Sequence, residues 1–206
     1  MRYIIVGNSP YKTFYKLYQP NQNDYYIGLD EGSIEIINKG YVLNEAWGDF
    51  DYVDDLNKIK KYTSKFNLFP KEKNETDLEL ILSNLSKQNV EEDIYIYDIT
   101  GGRLDHEFIN ILLIQKFNNL NIKIIDEYNE ISYIDKKGEY EIKSDNYSYI
   151  GLITYTSATI SIEEAKYKLD KTYITNKDTF TTSNQFSNDT FKFTLYDGNV
   201  ILIRSK

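Results

Sequence analysis

The chain has 206 residues, of which 41% are hydrophobic and 27% charged, and its formal net charge is −8. This length allows one large domain or two small ones, and the composition is that of an ordinary soluble protein. The acidic balance, without a local basic stripe, argues against nucleic acid as a partner, and the absence of cysteine excludes disulfides, thiolate catalysis and zinc–thiolate sites.

Short apolar runs alternate with helical patterns in the first half of the chain. Predicted strands cover residues 3–6, 25–29, 94–99 and 122–125. Near-continuous apolar runs of this length are typical of strands buried on both faces of a parallel sheet. Leucines with helical spacing lie between them, as in 78–85, so an α/β domain is expected. The first run is too short for a signal peptide or a membrane span, which favours a cytoplasmic protein with no membrane partner.

The pattern changes near residue 126 to alternating, β-branched and aromatic segments. These segments read EISYI, GEYEIK, YSYIGLITYT, ATISI, TFTTS, TFKFTLY and NVILIRS. Asp197-Gly198, between the last two, is typical of a two-residue hairpin turn. The segment IEEAKYKL (162–169) is expected to form a short helix or a single helical turn. The sequence predicts a small antiparallel sandwich or barrel over this half.

Polar residues directly follow several of the predicted parallel strands. Asn8, Asp30 and the segment TGGRLDH (100–106) each come after an apolar run, and EAWGDFD (45–51) follows the short run YVL. Ligands bind beyond the carboxyl ends of the strands in open parallel sheets. We therefore expect these groups to share one edge of the sheet.

The segment GDFD offers two carboxylates, Asp49 and Asp51. In an extended chain, residues two apart project to the same side, and two adjacent carboxylates repel unless a cation lies between them. Hard oxygen ligands favour Mg²⁺ or Mn²⁺. The alternative is a solvated acidic turn, which the nearby Asp54 and Asp55 support.

Thr76 and Glu79 have the spacing of a helix capping box, with Asp77 in the first turn. Capping alone accounts for all three residues. The functional alternative is that Asp77 offers a third carboxylate to a metal, while Lys71 and Lys73 face phosphate.

The TGGRLDH segment combines two glycines with the only histidine of the chain. Gly101 and Gly102 allow the backbone to approach an anion at a helix N-terminus, and Arg103 offers a fork of donors to phosphate oxygens. Asp105 is a candidate helix cap and His106 a neutral imidazole in the first turn. A plain turn is the alternative, and the Walker pattern is absent.

Three motifs in this order resemble the thiamine pyrophosphokinase family. They are GDFD (48–51), TDLE (76–79) and TGGRLDH (100–106). The resemblance extends along nearly the whole chain through DEG (30–32), KYKL (166–169) and SNQF (183–186).

This resemblance implies an enzyme that transfers the pyrophosphoryl group of ATP to the hydroxyl of thiamine and releases AMP. The implied fold is α/β plus all-β. Residues 1–126 are expected to form a Rossmann-like α/β domain with a mostly parallel sheet, which binds ATP and Mg²⁺. Residues 127–206 are expected to form an antiparallel β-sandwich that binds thiamine. A homodimer with the active site shared between subunits is also implied.

The resemblance assigns roles to individual residues. The metal ligands are Asp49, Asp51 and Asp77, which are also catalytic together with Asp105. The nucleotide-binding residues are Lys73, Thr76, Gly101, Gly102, Arg103 and His106. The thiamine-binding residues are Asp30, Asp105, Ser183 and Asn184. Either Asp105 or a metal-bound carboxylate accepts the hydroxyl proton.

Four positions depart from the family pattern. Glu31 replaces a glycine, Tyr52 a serine, Asn74 an aspartate and Gln185 a glutamate. The last two changes remove charge near metal and substrate. Trp47 matches no family motif and is expected to be a packing aromatic.

Two other functions compete with pyrophosphokinase activity. A Mg²⁺-dependent phosphohydrolase would use the paired aspartates of GDFD and would not need thiamine. A binding or sensing protein would have lost turnover through Asn74 and Gln185.

Overall fold

A computed structural model describes residues 1–51, 53 and 56–206. The chain forms two compact units, Met1–Glu127 and Tyr128–Lys206. Of the residues discussed above, Tyr52, Asp54 and Asp55 lie outside the described residues, so the departure at Tyr52 and the acidic-turn argument from the two aspartates have no structural counterpart here.

The first unit alternates strands and helices. Its strands are β1 (Arg2–Val6), β2 (Asp24–Leu29), β3 (Leu43–Gly48), β4 (Lys65–Leu68), β5 (Ile94–Tyr97) and β6 (Ile122–Ile125). Its helices are α1 (Thr13–Leu17), α2 (Gly32–Asn38), α3 (Leu56–Lys60), α4 (Asp77–Lys87) and α5 (Leu104–Lys116). The strands lie in the order β6-β5-β1-β2-β3-β4, and every pairing among them is parallel.

Buried strands and close helix packing hold this sheet in place. Ile4, Ile5 and Ile96 are completely buried, as expected for strands covered on both faces. Burying each such side chain stabilises the fold by about 1.5–3 kcal/mol. Gly32 lets the start of α2 press against the end of β1, because a Cβ at this position would lie 1.8 Å from the carbonyl oxygen of Val6. The loops at this edge are therefore closely positioned.

The second unit consists of strands. These are β7 (Asn129–Ile134), β8 (Gly138–Lys143), β9 (Tyr149–Ile153), β10 (Ser157–Ile162), β11 (Leu169–Thr175), β12 (Asn184–Gln185), β13 (Thr190–Gly198) and β14 (Val200–Ser205). They form two antiparallel groups, β12-β9-β14-β7 and β11-β10-β13-β8. One hydrophobic cluster contains buried residues of both groups, including Leu152 and Leu202 of the first and Ile160 and Phe193 of the second.

Two predicted strand boundaries in the first unit need correction. Strand β3 includes the EAWG segment, so the strand extends to Gly48 and only Asp49 and the following residues lie beyond it. Strand β5 ends at Tyr97, two residues before the end of its apolar run, because Asp98 has a positive φ of 59° and turns the chain.

Three predictions for the second unit are wrong. The last two long strands do not form a hairpin: β13 pairs with β8 and β10, whereas β14 pairs with β7 and β9. Gly198 has a φ of 82°, as a turn requires, but the turn passes the chain from one group to the other. Residues 163–168 contain no helix, and TFTTS forms turns rather than a strand.

Trp47 is a packing residue, as expected. It is 8% exposed, and its ring stacks on Phe69 with a centroid distance of 5.5 Å. Its Nε1 donates a hydrogen bond to Glu45 Oε2 at 2.8 Å.

The structure confirms an α/β part followed by a β-rich part. Among the described residues, no helix is long and apolar enough to cross a membrane.

Candidate active site

A cavity of about 330 Å³ lies at the carboxyl ends of the parallel strands in the first unit. The loops that follow β1, β2 and β5 line it. The lining residues are Asn8, Ser9, Leu29, Asp30, Glu31, Asp98, Ile99, Thr100, Gly102, Arg103, His106 and Asn110. Asp30, Gly102, Arg103 and His106, predicted from widely separated segments, therefore meet around one cavity.

Two of these loops are tied to each other by hydrogen bonds. The backbone N–H of Gly7 donates to the carbonyl of Tyr97 at 2.9 Å, and the hydroxyl of Ser9 donates to the carbonyl of Thr100 at 2.6 Å. These bonds fix the loop after β1 against the loop after β5. Ser9 was not singled out from the sequence, because an isolated serine carries no motif.

Asp98 was also missed, because it lies inside an apolar run that reads as continuous strand. It is 3% exposed, and its carboxylate accepts the backbone N–H groups of Thr13 at 2.6 Å and Phe14 at 3.1 Å. Burial raises the pKa of this carboxyl above its ordinary value, although the two N–H groups oppose that rise. Asp98 thus fixes the start of α1.

The TGGRLDH loop connects β5 to α5, as predicted, but its residues have different local roles. Gly101 has a φ of 83°, and a Cβ at this position would lie 1.9 Å from the Tyr11 ring. Its N–H donates to Glu107 Oε2 at 2.9 Å. Helix α5 begins at Leu104 with Arg103 as its N-cap, so Asp105 lies in the first turn and is not the cap.

Arg103 and Asp105 bind each other on the surface. The guanidinium donates to both carboxylate oxygens of Asp105, at 3.2 and 2.7 Å. The hydrogen bonds from Arg103 lower the pKa of Asp105 to about 2. A carboxylate this acidic is a poor general base near neutral pH. His106 is exposed beside this pair at the edge of the cavity.

Asp30 is affected by the charges of two predicted metal ligands, Asp49 and Asp77. Its Oδ1 accepts the backbone N–H of Phe50 at 3.0 Å. The pKa of Asp30 is raised to about 6, mainly by burial and further by the negative charges of Asp77 and Asp49. Three carboxylates from the loops after β2 and β3 and from the start of α4 therefore interact.

Thr76 and Asp77 begin α4. The Thr76 hydroxyl oxygen accepts the N–H of Glu79 at 3.2 Å, which forms one half of the capping box, while the carboxylate of Glu79 binds Lys116 instead. Lys73 Nζ lies 2.9 Å from Asp77 Oδ1. The two groups form an ion pair, but their angles do not fit a hydrogen bond, so the buried Oδ1 of Asp77 accepts none.

Asp49 and Asp51 lie in the turn that follows β3. Asp49 Oδ1 accepts the N–H of Asp51 at 3.1 Å, and Lys71 forms an ion pair with Asp51. Within residues 1–51, 53 and 56–206, no group of three or more His, Asp or Glu side chains converges closely enough to hold a metal ion. The assignment of Asp49, Asp51 and Asp77 to a metal stays a prediction.

The two predicted thiamine residues of the second unit have contrasting surroundings. Ser183 is exposed and has a φ of 56°. Asn184 is 3% exposed, and its amide bonds to the backbone N–H and C=O of Tyr167, at 2.9 and 2.7 Å. The Asn184 side chain therefore joins the segment around Tyr167 to β12.

The fold and site define a class of protein: an α/β unit with acidic and glycine-containing loops at the carboxyl edge of a parallel sheet, followed by an antiparallel β unit. Comparison with known families identifies the member of this class. The profile described as "Thiamin pyrophosphokinase, catalytic domain" matches residues 18–125, and that described as "Thiamin pyrophosphokinase, vitamin B1 binding domain" matches residues 139–200. The chain belongs to the thiamin pyrophosphokinase family.

Individual relatives agree with this membership. The thiamine pyrophosphokinase of Bacillus subtilis (strain 168) is 34% identical over 193 residues, which are 90% of this chain and 89% of that protein. A crystal structure of thiamine pyrophosphokinase from Bacillus subtilis matches 100% of this chain and 99% of its own, with a TM-score of 0.87 and 29% identity. One from Geobacillus thermodenitrificans matches 100% and 98%, with a TM-score of 0.85 and 28% identity.

Proposed function

We propose that this protein transfers the pyrophosphoryl group of ATP to the hydroxyl of thiamine and releases AMP. The observation that carries the proposal is the match of two family profiles, in order, to the two halves of the chain. A relative with the same activity in its name, 34% identical over 90% of the chain, supports it.

The reaction requires charge control and alignment more than covalent chemistry by the protein. The thiamine hydroxyl oxygen bonds to the β-phosphorus of ATP, the bond from that phosphorus to the oxygen of the α-phosphate breaks, and AMP leaves with the oxygen. The hydroxyl proton passes to an acceptor as the new bond forms. Holding the two oxygens in line with the phosphorus lowers the barrier.

Asp49, Asp51 and Asp77 would hold Mg²⁺ in this proposal. The residues suit the ion, because all three offer hard carboxylate oxygens and Asp77 presents a buried oxygen that accepts no hydrogen bond. Repulsion from Asp77 and Asp49 contributes to the raised pKa of Asp30, and a cation among these carboxylates would relieve it. The ion would neutralise charge on the transferred group.

Lys73, Thr76 and the TGGRLDH loop would bind the nucleotide. Lys73 is already beside Asp77, and the Thr76 hydroxyl keeps its proton for donation while its oxygen caps α4. Arg103 would exchange Asp105 for phosphate oxygens. This exchange costs little, because both partners are exposed and surface ion pairs contribute little to stability. Gly101, Gly102 and His106 would contact the nucleotide from the same loop.

Thiamine is a cation, so Asp30 and Asp105 would contribute favourable charge to its site. The charge of Asp105 suits such a cation, and either Asp105 or a metal-bound carboxylate would accept the hydroxyl proton. Ser183 and Asn184 of the second unit would also contribute to thiamine binding. The buried amide of Asn184 would act by holding the backbone of Tyr167 in place.

The finer features of fold and assembly belong to the same proposal. Residues 1–126 would be a Rossmann-like ATP and Mg²⁺ domain, and residues 127–206 a thiamine-binding β-sandwich. The mixed core cluster of the second unit supports two facing sheets. A homodimer with an active site shared between subunits is supported by Leu104 and Phe108, which expose apolar side chains one helical turn apart on α5. Because the co-substrate is ATP, we place the enzyme in the cytoplasm.

The test is to incubate the purified protein with ATP, Mg²⁺ and thiamine and to quantify AMP and thiamine pyrophosphate. Equimolar, thiamine-dependent appearance of both is expected. Inorganic phosphate released without thiamine would replace the proposal with a phosphohydrolase. Thiamine or nucleotide binding in calorimetry without any product would replace it with a binding protein.

The metal assignment has its own test. Asp51→Asn should lower turnover by a factor on the order of 100 or more and weaken Mn²⁺ binding, because one charged ligand is lost. Circular dichroism should show an intact fold. Asp170→Asn, which changes an exposed aspartate of β11, is the matched control and should retain full turnover. Full turnover in Asp51→Asn would contradict the assignment.

A further inference from the structure

Three carboxylates line the cavity, and their hydrogen-bond partners differ. Asp98 and Asp30 accept backbone N–H groups and so belong to the frame of the loops. Glu31 instead accepts a hydrogen bond from the side-chain amide of Asn8, which also lines the cavity. Each carboxylate oxygen has two lone pairs, so Glu31 keeps acceptor positions for a ligand. The proposed function assigns Asp30 to thiamine, and Asp98 accepts two backbone N–H groups, so Glu31 is the cavity carboxylate that has no assigned ligand.

A chain of polar contacts orients the Asn8 amide. Lys12 Nζ lies 3.0 Å from Asn8 Oδ1 and 2.8 Å from Glu35 Oε1, and Glu35 follows Glu31 by one helical turn. Because Lys12 can only donate, it fixes the oxygen of the amide toward itself and the NH₂ group toward Glu31. The Glu31 carboxylate is thus held by an amide that is itself held in one orientation.

The location of Glu31 in the sheet matches a general mode of nucleoside recognition. Glu31 follows β2 directly, and β2 lies beside β1, whose loop begins at Gly7. In nucleotide-binding parallel sheets, an acidic residue about 20 positions beyond the glycine turn of the first strand accepts a ribose hydroxyl. Glu31 lies 24 positions beyond Gly7, the single glycine at the end of β1, and therefore shares the position of that acidic residue but not the full glycine-rich turn.

Charge decides which part of ATP lies near Glu31. A carboxylate repels phosphate but accepts hydrogen bonds from hydroxyl groups. Asp30 accepts the N–H of Phe50, which lies between Asp49 and Asp51, whereas Glu31 accepts a hydrogen bond from Asn8. The phosphates therefore belong near the proposed metal ligands and Arg103, and the ribose belongs beside Glu31 in the cavity. Its volume of about 330 Å³ is at the low end of the usual range for small-molecule sites, about 300–1,000 Å³.

We infer that Glu31 accepts hydrogen bonds from the 2′- and 3′-hydroxyls of the ATP ribose, with Asn8 and Lys12 as positioning residues, and so makes the enzyme selective for ribonucleotides. The inference rests on the proposed function, since it concerns the co-substrate of that reaction. It also gives a role to a position where the family pattern has glycine, which carries no side chain to contact ribose.

The test compares kcat/KM for ATP, 2′-deoxy-ATP and 3′-deoxy-ATP. Wild type should prefer ATP over each deoxynucleotide by about 10- to 100-fold, the usual value of a hydrogen bond to a charged group. Glu31→Gly should bring both ratios close to one, and Glu31→Gln should give intermediate ratios. Glycine fits the Glu31 backbone, whose φ and ψ are −60° and −21°. Glu91→Gln, at an exposed position, is the matched control and should keep the wild-type ratios.

Lys12→Met tests the positioning role. It should reduce the preference for ATP over 2′-deoxy-ATP mainly by raising KM for ATP rather than by lowering kcat, a split that loss of folding would not produce. An unchanged preference in this variant would overturn the role of Lys12.

The outcomes separate this inference from the proposed function. Unchanged ratios in Glu31→Gly, with thiamine pyrophosphate still formed, would overturn the inference alone. A variant that instead loses preference for thiamine over a neutral isostere would assign Glu31 to the substrate cation and would also overturn it. If wild type forms no thiamine pyrophosphate, the proposed function fails. Calorimetry with AMP and 2′-deoxy-AMP then still decides whether Glu31 binds the ribose hydroxyls.

Discussion

Asn184 illustrates how a motif residue acquires a physical role only in the folded chain. The family resemblance assigned it to thiamine, and sequence spacing could not show that Tyr167 would lie beside it. In the structure its buried amide satisfies both backbone polar groups of Tyr167. Buried polar groups left without partners are costly, so this side chain is expected to support local structure.

Asn184→Ala should lower the free energy of unfolding by about 2–4 kcal/mol, because it leaves the N–H and C=O of Tyr167 without their partner. Urea denaturation measures the change. The neighbouring Ser183→Ala is the control and should change stability by less than about 0.5 kcal/mol, since Ser183 is exposed. Equal effects of the two substitutions would contradict the supporting role of Asn184.

Asp24 makes stability depend on pH. Burial alone would raise its pKa, but hydrogen bonds from Arg2, Tyr18 and the backbone of Asn21 outweigh burial and hold the pKa below the ordinary value of 3.8. The stabilisation is therefore complete above that ordinary value and is lost as the pH falls through the lower, folded-state pKa.

Asp24→Asn should be less stable than wild type by about 1–3 kcal/mol at pH 7, and the difference should shrink below about pH 4. Urea unfolding of both proteins at pH 7, 4 and 3 checks this. A difference that stays constant with pH would show that the charge of Asp24 does not contribute.

At the scale of secondary structure, the hydrophobic pattern of the sequence predicted those strands that are buried in the core. The apolar runs of β1, β2 and β6 predicted strands at nearly their true positions. Strand β4, with sequence KFNL, has half-exposed residues and gave no signal. The hairpin between β13 and β14 failed because turn chemistry fixes the local chain direction but not which sheet receives the next strand.

The sequence also predicted only some of the residues of the candidate active site. Arg103 and His106 were found because they lie in a glycine-containing segment between a predicted strand and a predicted helix, and the structure brings both to the cavity. Asp98 and Lys12 were not found, because their roles depend on contacts between loops far apart in sequence. Whether Asp49, Asp51 and Asp77 bind a metal stays a prediction.

The adjacent glycines of the TGGRLDH loop should respond differently to alanine. Gly101→Ala should lower the free energy of unfolding by about 1–3 kcal/mol, because its φ of 83° strains other residues and its Cβ would meet the Tyr11 ring. Gly102→Ala should change it by less than about 0.5 kcal/mol, because nothing lies within 4 Å of a Cβ there. Denaturation curves compare the pair, and equal losses would refute this distinction.

At the scale of the whole molecule, helix α5 exposes two large apolar side chains to solvent. Leu104 is 72% and Phe108 65% exposed, although both lie on a helix whose later residues Leu113 and Ile114 are buried. Large apolar side chains exposed together commonly mark an interface. This surface is therefore the part of the first unit that we expect a dimer to bury.

Wild type should sediment as a dimer at micromolar concentration. Phe108→Glu should shift it toward monomer, because it places a charge where the dimer is expected to bury an aromatic side chain. Turnover should fall on the order of tenfold or more, because the proposed active site is shared between subunits. Val42→Glu, at another strongly exposed apolar residue, is the control and should do neither. A fully active monomeric wild type would rule out the shared site.

The position of the only tryptophan has a practical consequence. Trp47 stacks on Phe69 at the end of β3, two residues before Asp49. Because the other aromatic residues are phenylalanine and tyrosine, light at the red edge of protein absorption excites this indole alone. The protein thus contains a single tryptophan, which can be excited selectively, two residues before the proposed metal loop. We expect its emission to change when a ligand binds, and a stopped-flow experiment can follow that change without a label on the millisecond scale.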